Sequence, residues 1–553
     1  MLTRLANGTV IDPVHGQDAV QRDIYIENGR VIRPPAAARK IDREFDLAGD
    51  IIMAGAIDIH THIGGGKVNI ARVLMPEDHE QDPVAPSEIC RGGTGRAVPS
   101  TFITGQRYAE MGFTACFEPA MLPANARQAH MEMADIPLVD AGAYVLVGND
   151  DFLLQSMSAG APQSLITDYV AWTIRATQAL GVKVVNPGGI SAFKFNQRKL
   201  DLDEPHAVYG VTPRSILQAL CTAVHDLGIP HPLHVHGCNL GVPGNNATTL
   251  DTIKAADGMR MHLTHLQFHA YGKEGDRRFS SGAARIAERI NASPNISLDV
   301  GQVMFGQTVT ASADTMLQFR GGRHARPRKS VTMDIECDAG CGVVPIRYRD
   351  RNFVNALQWC VGLELFLLIE DPWRIFLTTD HPNGAPFTCY PHLIRLLMDR
   401  EYRLEMLSGL HPAVRQHSDL AGLTREYSLY EVAVMTRAAP ARSLGLGDRG
   451  HLGVGAAADV VVYRPKTNME EMFSRPHLVL KDGRPVVQDG RIVDTPAGIV
   501  HRVAPDFDPA IERRLKSWFN RHQTVRLGNF RLGDDELLGY GRAAIRTHPC
   551  RTA

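Results

Sequence analysis

Ile57-Asp58-Ile59-His60-Thr61-His62 alternates apolar with polar side chains, the period of a strand with two unlike faces. His60 and His62 therefore share one face, and two neutral imidazoles side by side make half of a divalent metal site. Gly64-Gly65-Gly66 follows, which ends the strand and lets backbone approach a bound group closely. By itself a His-x-His pair is equally a hydrogen-bonded core pair, so the weight falls on what the rest of the chain adds. Metal-type residues recur at the ends of other apolar runs. Lys183 lies in Val182–Asn186, with Lys194 a little beyond, and Leu233–His236 carries His234 and His236. His262, His265 and His269 fall in and after Met259–Leu266, and Asp380-His381 follows Ile375–Thr379. Singly, a strand lysine is a rim residue and Asp380 a turn cap. Together these side chains are the donors of metal-assisted C–N hydrolysis, in which cations polarise a carbonyl and a carboxylate carries a proton to the amine.

The elements that must position them repeat as strand, loop, helix. Predicted strands are Ala56–His60, Thr114–Pro119, Tyr144–Gly148, Val182–Asn186, Leu233–His236, Met259–Leu266, Ile296–Val300 and Ile375–Thr379. Predicted helices between them are Thr101–Met111, Gln163–Leu180, Pro213–Leu227, Thr248–Ala256, Ala283–Asn291 and Phe353–Leu368. Pro213 suits a first helical turn, and Gly181, Gly228 and Gly258 suit left-handed helix ends. This alternation predicts an α/β fold, a (β/α)8 TIM-like barrel with reactive groups at the C-terminal strand ends. A doubly wound open sheet is the alternative; no glycine-rich dinucleotide fingerprint follows the first strand.

On either side the texture is β. Residues 1–53 hold short strands punctuated by Asn7-Gly8, Asn28-Gly29 and Gly49-Asp50. Residues 446–500 hold short apolar runs with Asp482-Gly483 and Asp489-Gly490, which are hairpin signals. The two ends are expected to pair into one composite β-sandwich around a barrel spanning 54–445. The arginine-rich extension 501–553 is expected to pack on a partner chain.

Composition narrows the function. A net charge of -1 gives no electrostatic case for nucleic acid or an anionic membrane. The one dense basic cluster, Arg320, Arg323, Arg326, Arg328 and Lys329, reads as a solvated loop. The richest apolar run, Leu363–Ile369, is short and broken by Glu364, and Met1–Arg4 does not open a signal peptide. Nine scattered cysteines form no disulfide framework and no iron–sulfur ligand run. Cys337 and Cys341 are the only close pair, half of a zinc knuckle at most. A reduced cytoplasm is expected, and any redox chemistry belongs to another chain.

His-x-His on the first strand, Lys on the fourth, His on the fifth and sixth and Asp on the eighth resembles the amidohydrolase superfamily, strand for strand. Gly450–Val462 and Lys481–Val493 are similar to the C-terminal half of its composite sandwich. Within it, Val182–Gly189, Thr264–Gly272 and Leu377–Phe387 resemble the A-subunit family of formylmethanofuran dehydrogenases and bacterial formyltransferase/hydrolase complexes, across most of the chain.

The resemblance implies two Zn2+ ions bridged by a carboxylated lysine and hydroxide. His60 and His62 would bind one ion, Lys183 would bridge, and a strand-five histidine with His265 would bind the second. Asp380 would bind the first ion and carry the proton. Lys183 is preferred as the bridge, although Ser191–Phe195 around Lys194 also resembles the bridging-lysine strand of hydantoinases. His236 lies nearer the open end and is preferred as ligand, which leaves His234 as a catalytic group contacting substrate. Asn186 and His269 are expected to bind substrate. The implied reaction is hydrolysis of N-formylmethylofuran or N-formylmethanofuran to formate and amine, with a formyltransferase and other subunits as partners. The archaeal relative would run the reverse condensation. A free-standing hydantoinase- or dihydroorotase-type enzyme and a non-catalytic scaffold are the other readings, and a single ion would still hydrolyse an amide.

Overall fold

Apolar runs that carry at most one charged residue become strands buried along almost their whole length. In the computed structural model, which describes residues 1–311, 314, 316, 331–332 (backbone only) and 342–551, eight such strands lie side by side. They are β1 (Ala56–Asp58), β2 (Phe113–Met121), β3 (Asp140–Leu146), β4 (Gly181–Val185), β5 (Leu233–His236), β6 (Met261–Leu263), β7 (Ile296–Asp299) and β8 (Ile375–Phe376). Each is parallel to the next, in sequence order. A parallel bridge between Thr61 and His381 joins the last to the first, with His62 N–H donating to His381 O at 2.8 Å. The basic cluster at 320–329 and the Cys337/Cys341 pair lie outside the described residues.

Strand register layers the interior. Lys183, His234 and His262 are paired across β4, β5 and β6, and Val185 pairs with His236 one layer nearer the C-terminal rim. β6 is shorter than its apolar run: His265 turns left-handed at φ 36 and leads into a 3-10 turn over Leu266–His269. The helices Ala283–Asn291 and Phe353–Leu368 span the predicted residues. The second is buried on almost every face from Ala356 to Leu367, and its Glu364 is satisfied by Ser281 and Ser418 hydroxyls and by Asp419 N–H. No helix among the described residues is long and apolar enough to cross a membrane.

One predicted helix end is corrected. The helix Gln163–Thr177 stops at Gln178, which takes the left-handed conformation at φ 59, and Gly181 is already the first residue of β4. A Cβ at Gly181 would stand in ordinary contact with the Tyr144 and His231 rings, 3.4 Å from Tyr144 Cδ1.

The two chain ends do share a sheet. Its seven strands run, edge to edge, Arg491–Ile492, Arg484–Gln488, Leu478–Lys481, Val460–Tyr463, Ile51–Ala54, Thr9–Asp12 and Gln17–Gln21. Val460–Tyr463 lies antiparallel to Ile51–Ala54 at the seam. The facing four-stranded sheet is built from N-terminal strands alone: Arg30–Ile32, Ile24–Glu27, Leu2–Ala6 and Arg43–Asp46.

The C-terminal extension packs in part on this chain's own barrel. Val500–Val503 runs beside the start of β3, and Ile545–His548 pairs with it in turn. Leu515, Phe519, Leu532 and Leu537 are buried, with Phe519 edge-on to Trp172 of a barrel helix at 6.1 Å. An apolar stripe within an arginine-rich segment holds it there: Ile511, Leu515 and Phe519 recur at every fourth residue and are buried, and Arg542 is buried too, donating to Val139 O.

Barrel, sandwich and extension meet on one carboxylate. Asp140 contacts Lys481 at 3.1 Å, Arg449 at 2.9 Å and His501 at 3.4 Å, and accepts from Ile499 N–H at 3.0 Å. Burial works against the charge, but Lys481 and Arg449 hold its pKa well below the carboxylate range. Its support is present above about pH 4 and is lost as pH falls below that. Asp140→Asn is expected to cost about 3–5 kcal/mol by leaving buried cations undercompensated, read as a lowered thermal midpoint at pH 7.

Candidate metal centre

The polar ends of β1, β4, β5, β6 and β8 converge. His60 Nε2 and His62 Nε2 lie 2.9 and 3.3 Å from the same atom, Asp380 Oδ1. The three side chains form a group whose ligand atoms all fall within 4.8 Å of one another. Lys183, His236 and His265 line the same small cavity, of about 50 Å3. The rings of His236 and His265 stand 4.6 Å apart, edge to face. The remaining walls come from Ala120, Val185, Leu240, Phe268, Thr310, Tyr348 and Asn383. Thr310 and Tyr348 belong to an antiparallel pair, Gly306–Thr310 with Gly342–Tyr348, inserted after β7.

Carboxylates on the outer side aim the imidazoles. His62 Nδ1 is 3.1 Å from Glu118 Oε1, and His60 Nδ1 is 3.1 Å from Asp299 Oδ2. An ionised carboxylate only accepts, so these contacts place the ring proton on Nδ1 and the lone pair on Nε2, toward Asp380. Glu118 also accepts from Ile63, Gly64 and Ala120 N–H. Burial opposes its charge, but His62 and Lys67 bring its pKa down to about 2. Asp380 is treated likewise: burial is outweighed by His265 and His60, which hold it well below the carboxylate range. Asn383 Nδ2 donates to its Oδ1 at 2.9 Å.

The donor set fits a cation. His60 Nε2, though 2.9 Å from Asp380 Oδ1, makes no hydrogen bond of acceptable direction, and His265 Nδ1 and His269 Nε2 are buried with no partner among the described residues. Buried imidazole nitrogens without a partner are costly, and a cation in the cavity that His60 and His265 line would satisfy theirs. Burial opposes a charge on His60, yet Asp299 and Asp380 raise its pKa overall, so a proton is drawn to where a metal would bind. Burial, only partly offset by Asp299 and Asp380, lowers the Lys183 ammonium to about 7; its Nζ donates to Thr264 Oγ1 at 3.1 Å. Asn186, His265 and Asp380 all have positive φ, at 41, 36 and 50°, strained positions of the kind found at functional sites.

Not every predicted site residue meets the cavity. His234 does not: it is fully buried one layer below His236, between His60 and His231. Residues two apart share a strand face but sit some 6.6 Å apart along the strand, so only one of the pair reaches the rim. Lys194 ends the helix Gly189–Lys194 and is absent from the cavity wall that Lys183 forms. Asn186 and His269 stand behind the wall, with Asn186 Nδ2 3.4 Å from Asp314 Oδ1 and the His269 ring 5.4 Å from that of His265. Sequence reasoning missed Glu118, Asp299, Asp314 and Asn383. Glu118 and Asp299 were findable, since each is a lone carboxylate near the C-terminal end of an apolar strand. Asp314, whose Oδ2 is 3.2 Å from His236 Nε2, carries no such signal.

Known proteins show the same frame. A family model described as "Amidohydrolase family" matches residues 43–494. The chain is 44% identical over 541 residues, 97% of each chain, to the A subunit of the formyltransferase/hydrolase complex Fhc of Methylorubrum extorquens. It is 37% identical over 554 residues, 96% of each, to protein FwdA of Methanocaldococcus jannaschii. The crystal structure of the M. extorquens FhcABCD complex with methylofuran contains a chain that superposes with a TM-score of 0.93 at 43% identity, over 100% of both chains. D-aminoacylase, at 15% identity and a TM-score of 0.50 over 90% of this chain and 99% of its own, shares the fold.

Glu118→Gln keeps the shape of the side chain but removes the charge that aims His62. Retained Zn2+ after dialysis against a graded chelator is expected to show affinity about 10–100-fold weaker than wild type.

Proposed function

We propose, from the premise that this chain belongs to the amidohydrolase family, that it is the hydrolytic A subunit of a formyltransferase/hydrolase complex, releasing formate from N-formylmethylofuran or a close analogue. The observation that carries this is the convergence of His60, His62, Asp380, Lys183, His236 and His265 on one cavity in a chain similar to its M. extorquens counterpart over nearly its full length. The M. extorquens structure holds methylofuran and three further subunits; by that likeness the formyl carrier is the substrate here and a formyltransferase the partner.

His60, His62 and Asp380 would hold one Zn2+, His236 with His265 would hold another, and Lys183, on the same cavity wall, would be their shared ligand. With its ammonium brought down to about 7, free amine is present at neutral pH to add CO2, giving a carbamate anion and one released proton. When bound, the ions polarise the formyl carbonyl and supply hydroxide near neutrality. Leu240, Phe268 and Val185 wall the cavity and exclude bulk water from the reacting amide. Asp380, ionised and steadied by Asn383, takes the proton of the attacking nucleophile and delivers it to the amide nitrogen. The formyl C–N bond breaks, leaving formate and the free amine.

A silent scaffold has no use for buried ligands without partners, and a free-standing cyclic amidase lacks the near full-length likeness to a member of a complex. Asp380→Asn is expected to cut formate release from N-formylmethylofuran by about 10²–10⁴-fold with the fold retained by circular dichroism; unchanged turnover counts against Asp380 as proton carrier. Lys183→Ala is expected to lose at least one Zn2+ per chain by elemental analysis, while Lys194→Ala keeps both.

A further inference from the structure

Below the cavity three imidazoles stand in file. His60 Nδ1 lies 2.9 Å from His234 Nε2, and His234 Nδ1 lies 2.9 Å from His231 Nε2. His231 Nδ1 lies 3.1 Å from Ser443 Oγ, on the helix Ala439–Leu444 that leads out of the barrel. His60, His231 and His234 are fully buried, and the Tyr144 ring lies over both His231 and His234, at 4.8 Å from each. None of this file touches the cavity beyond His60.

A neutral imidazole has one proton and one lone pair, so a file of them has a direction. In one direction Ser443 donates to His231, His231 to His234, and His234 to His60 Nδ1. That leaves the His60 proton on Nε2, where it blocks ligation. In the other, His60 Nδ1–H points to His234, His234 Nδ1–H to His231, and His231 Nδ1–H to the Ser443 hydroxyl, and His60 Nε2 presents a lone pair. Asp299 Oδ2, 3.1 Å from His60 Nδ1, accepts only and therefore selects the second direction. His262, whose Nε2 is 3.1 Å from the same Asp299 oxygen, shares that carboxylate with His60, and His234 Nε2 at 2.9 Å is a further acceptor for the same Nδ1 proton.

We infer that His231 and His234 are positioning residues for the metal centre: they hold His60 in the Nδ1–H tautomer, with Ser443 as the terminal acceptor. The inference rests on the reading of His60 as a metal ligand. It also gives a role to a His-x-His pair on β5 of which only His236 reaches the rim.

The test uses the full chain, with Zn2+ as the probe in competition with a chelator and with 15N-histidine shifts reporting the His60 tautomer. His234→Leu and His231→Leu keep apolar bulk but end the file. Each is expected to weaken Zn2+ binding about 10–100-fold and to mix the His60 tautomers, and His234→Gln and His231→Gln, which can accept at one end and donate at the other, are expected to recover most of the loss. His231 touches no ligand of the ion, so a purely structural role would lower its variant's thermal midpoint while leaving Zn2+ affinity and the His60 shifts unmoved; that result overturns the inference. If His234→Leu does not fold, the His231 pair decides alone. Wild-type protein that binds no Zn2+ refutes the metal reading itself, whereas wild type and His231→Leu binding Zn2+ equally refutes only the file.

Discussion

Asp299 is the group on which the rest depends. It is fully buried at the end of β7 and receives four donors from elsewhere on the barrel: His60 at 3.1 Å, His262 at 3.1 Å, His265 N–H at 2.9 Å and the Thr378 hydroxyl at 2.8 Å. An isolated carboxylate at that depth would cost tens of kcal/mol by Born solvation and would take up a proton instead. His60 and His262 more than offset the burial and keep its pKa well below the carboxylate range. One anion thereby fixes the ring of His60, the left-handed turn at His265 and the approach of strand eight, so barrel closure and site geometry rest on the same contacts.

The electrostatic pattern around it is consistent. Glu118, Asp299 and Asp380 stay ionised while the histidines about them, His234, His236, His262 and His265, are pushed below their ordinary values, burial being the largest cause in each. Neutral imidazoles and charged carboxylates are the forms that ligate. Except at His60, which Asp299 and Asp380 raise, the barrel interior thus prepares protonation states before any ion arrives, at the expense of concentrating negative charge that cations relieve. Asp140 solves the same problem by protein means, taking Lys481 and Arg449 as its counter-ions, and it serves as a joint between domains.

Much of this was legible in the sequence because it depends on period and position alone. Eight apolar runs with polar ends foretold eight parallel strands, and the donors at those ends foretold where the cavity would be. What was not legible depends on depth. His234 and His236 are indistinguishable by type and face, and only the register with Lys183 and Val185 shows that one lies a layer below the other. Asn383 enters through a turn whose path no periodicity records, and nothing in the spacing singles out Asp314. The extension's packing on the barrel is set by the sparse apolar stripe of Leu515 and Phe519, a weak signal in so polar a stretch.

Depth also explains why the fourth strand supplies a lysine. Lys183 is in register with His234, and His234 with His262, and both histidines are core residues short of the cavity. A histidine at position 183 would end in that same layer. The rim-level position on β4 is Val185, an apolar wall. Only a side chain with four methylenes rises from the lower layer into the cavity. Its ammonium, fully buried with Thr264 as hydrogen-bond partner, is the one lysine among the described residues whose basicity burial brings near neutrality. Length and lowered basicity come from the same placement, and both are what a group needs if it is to become an anion between two ions.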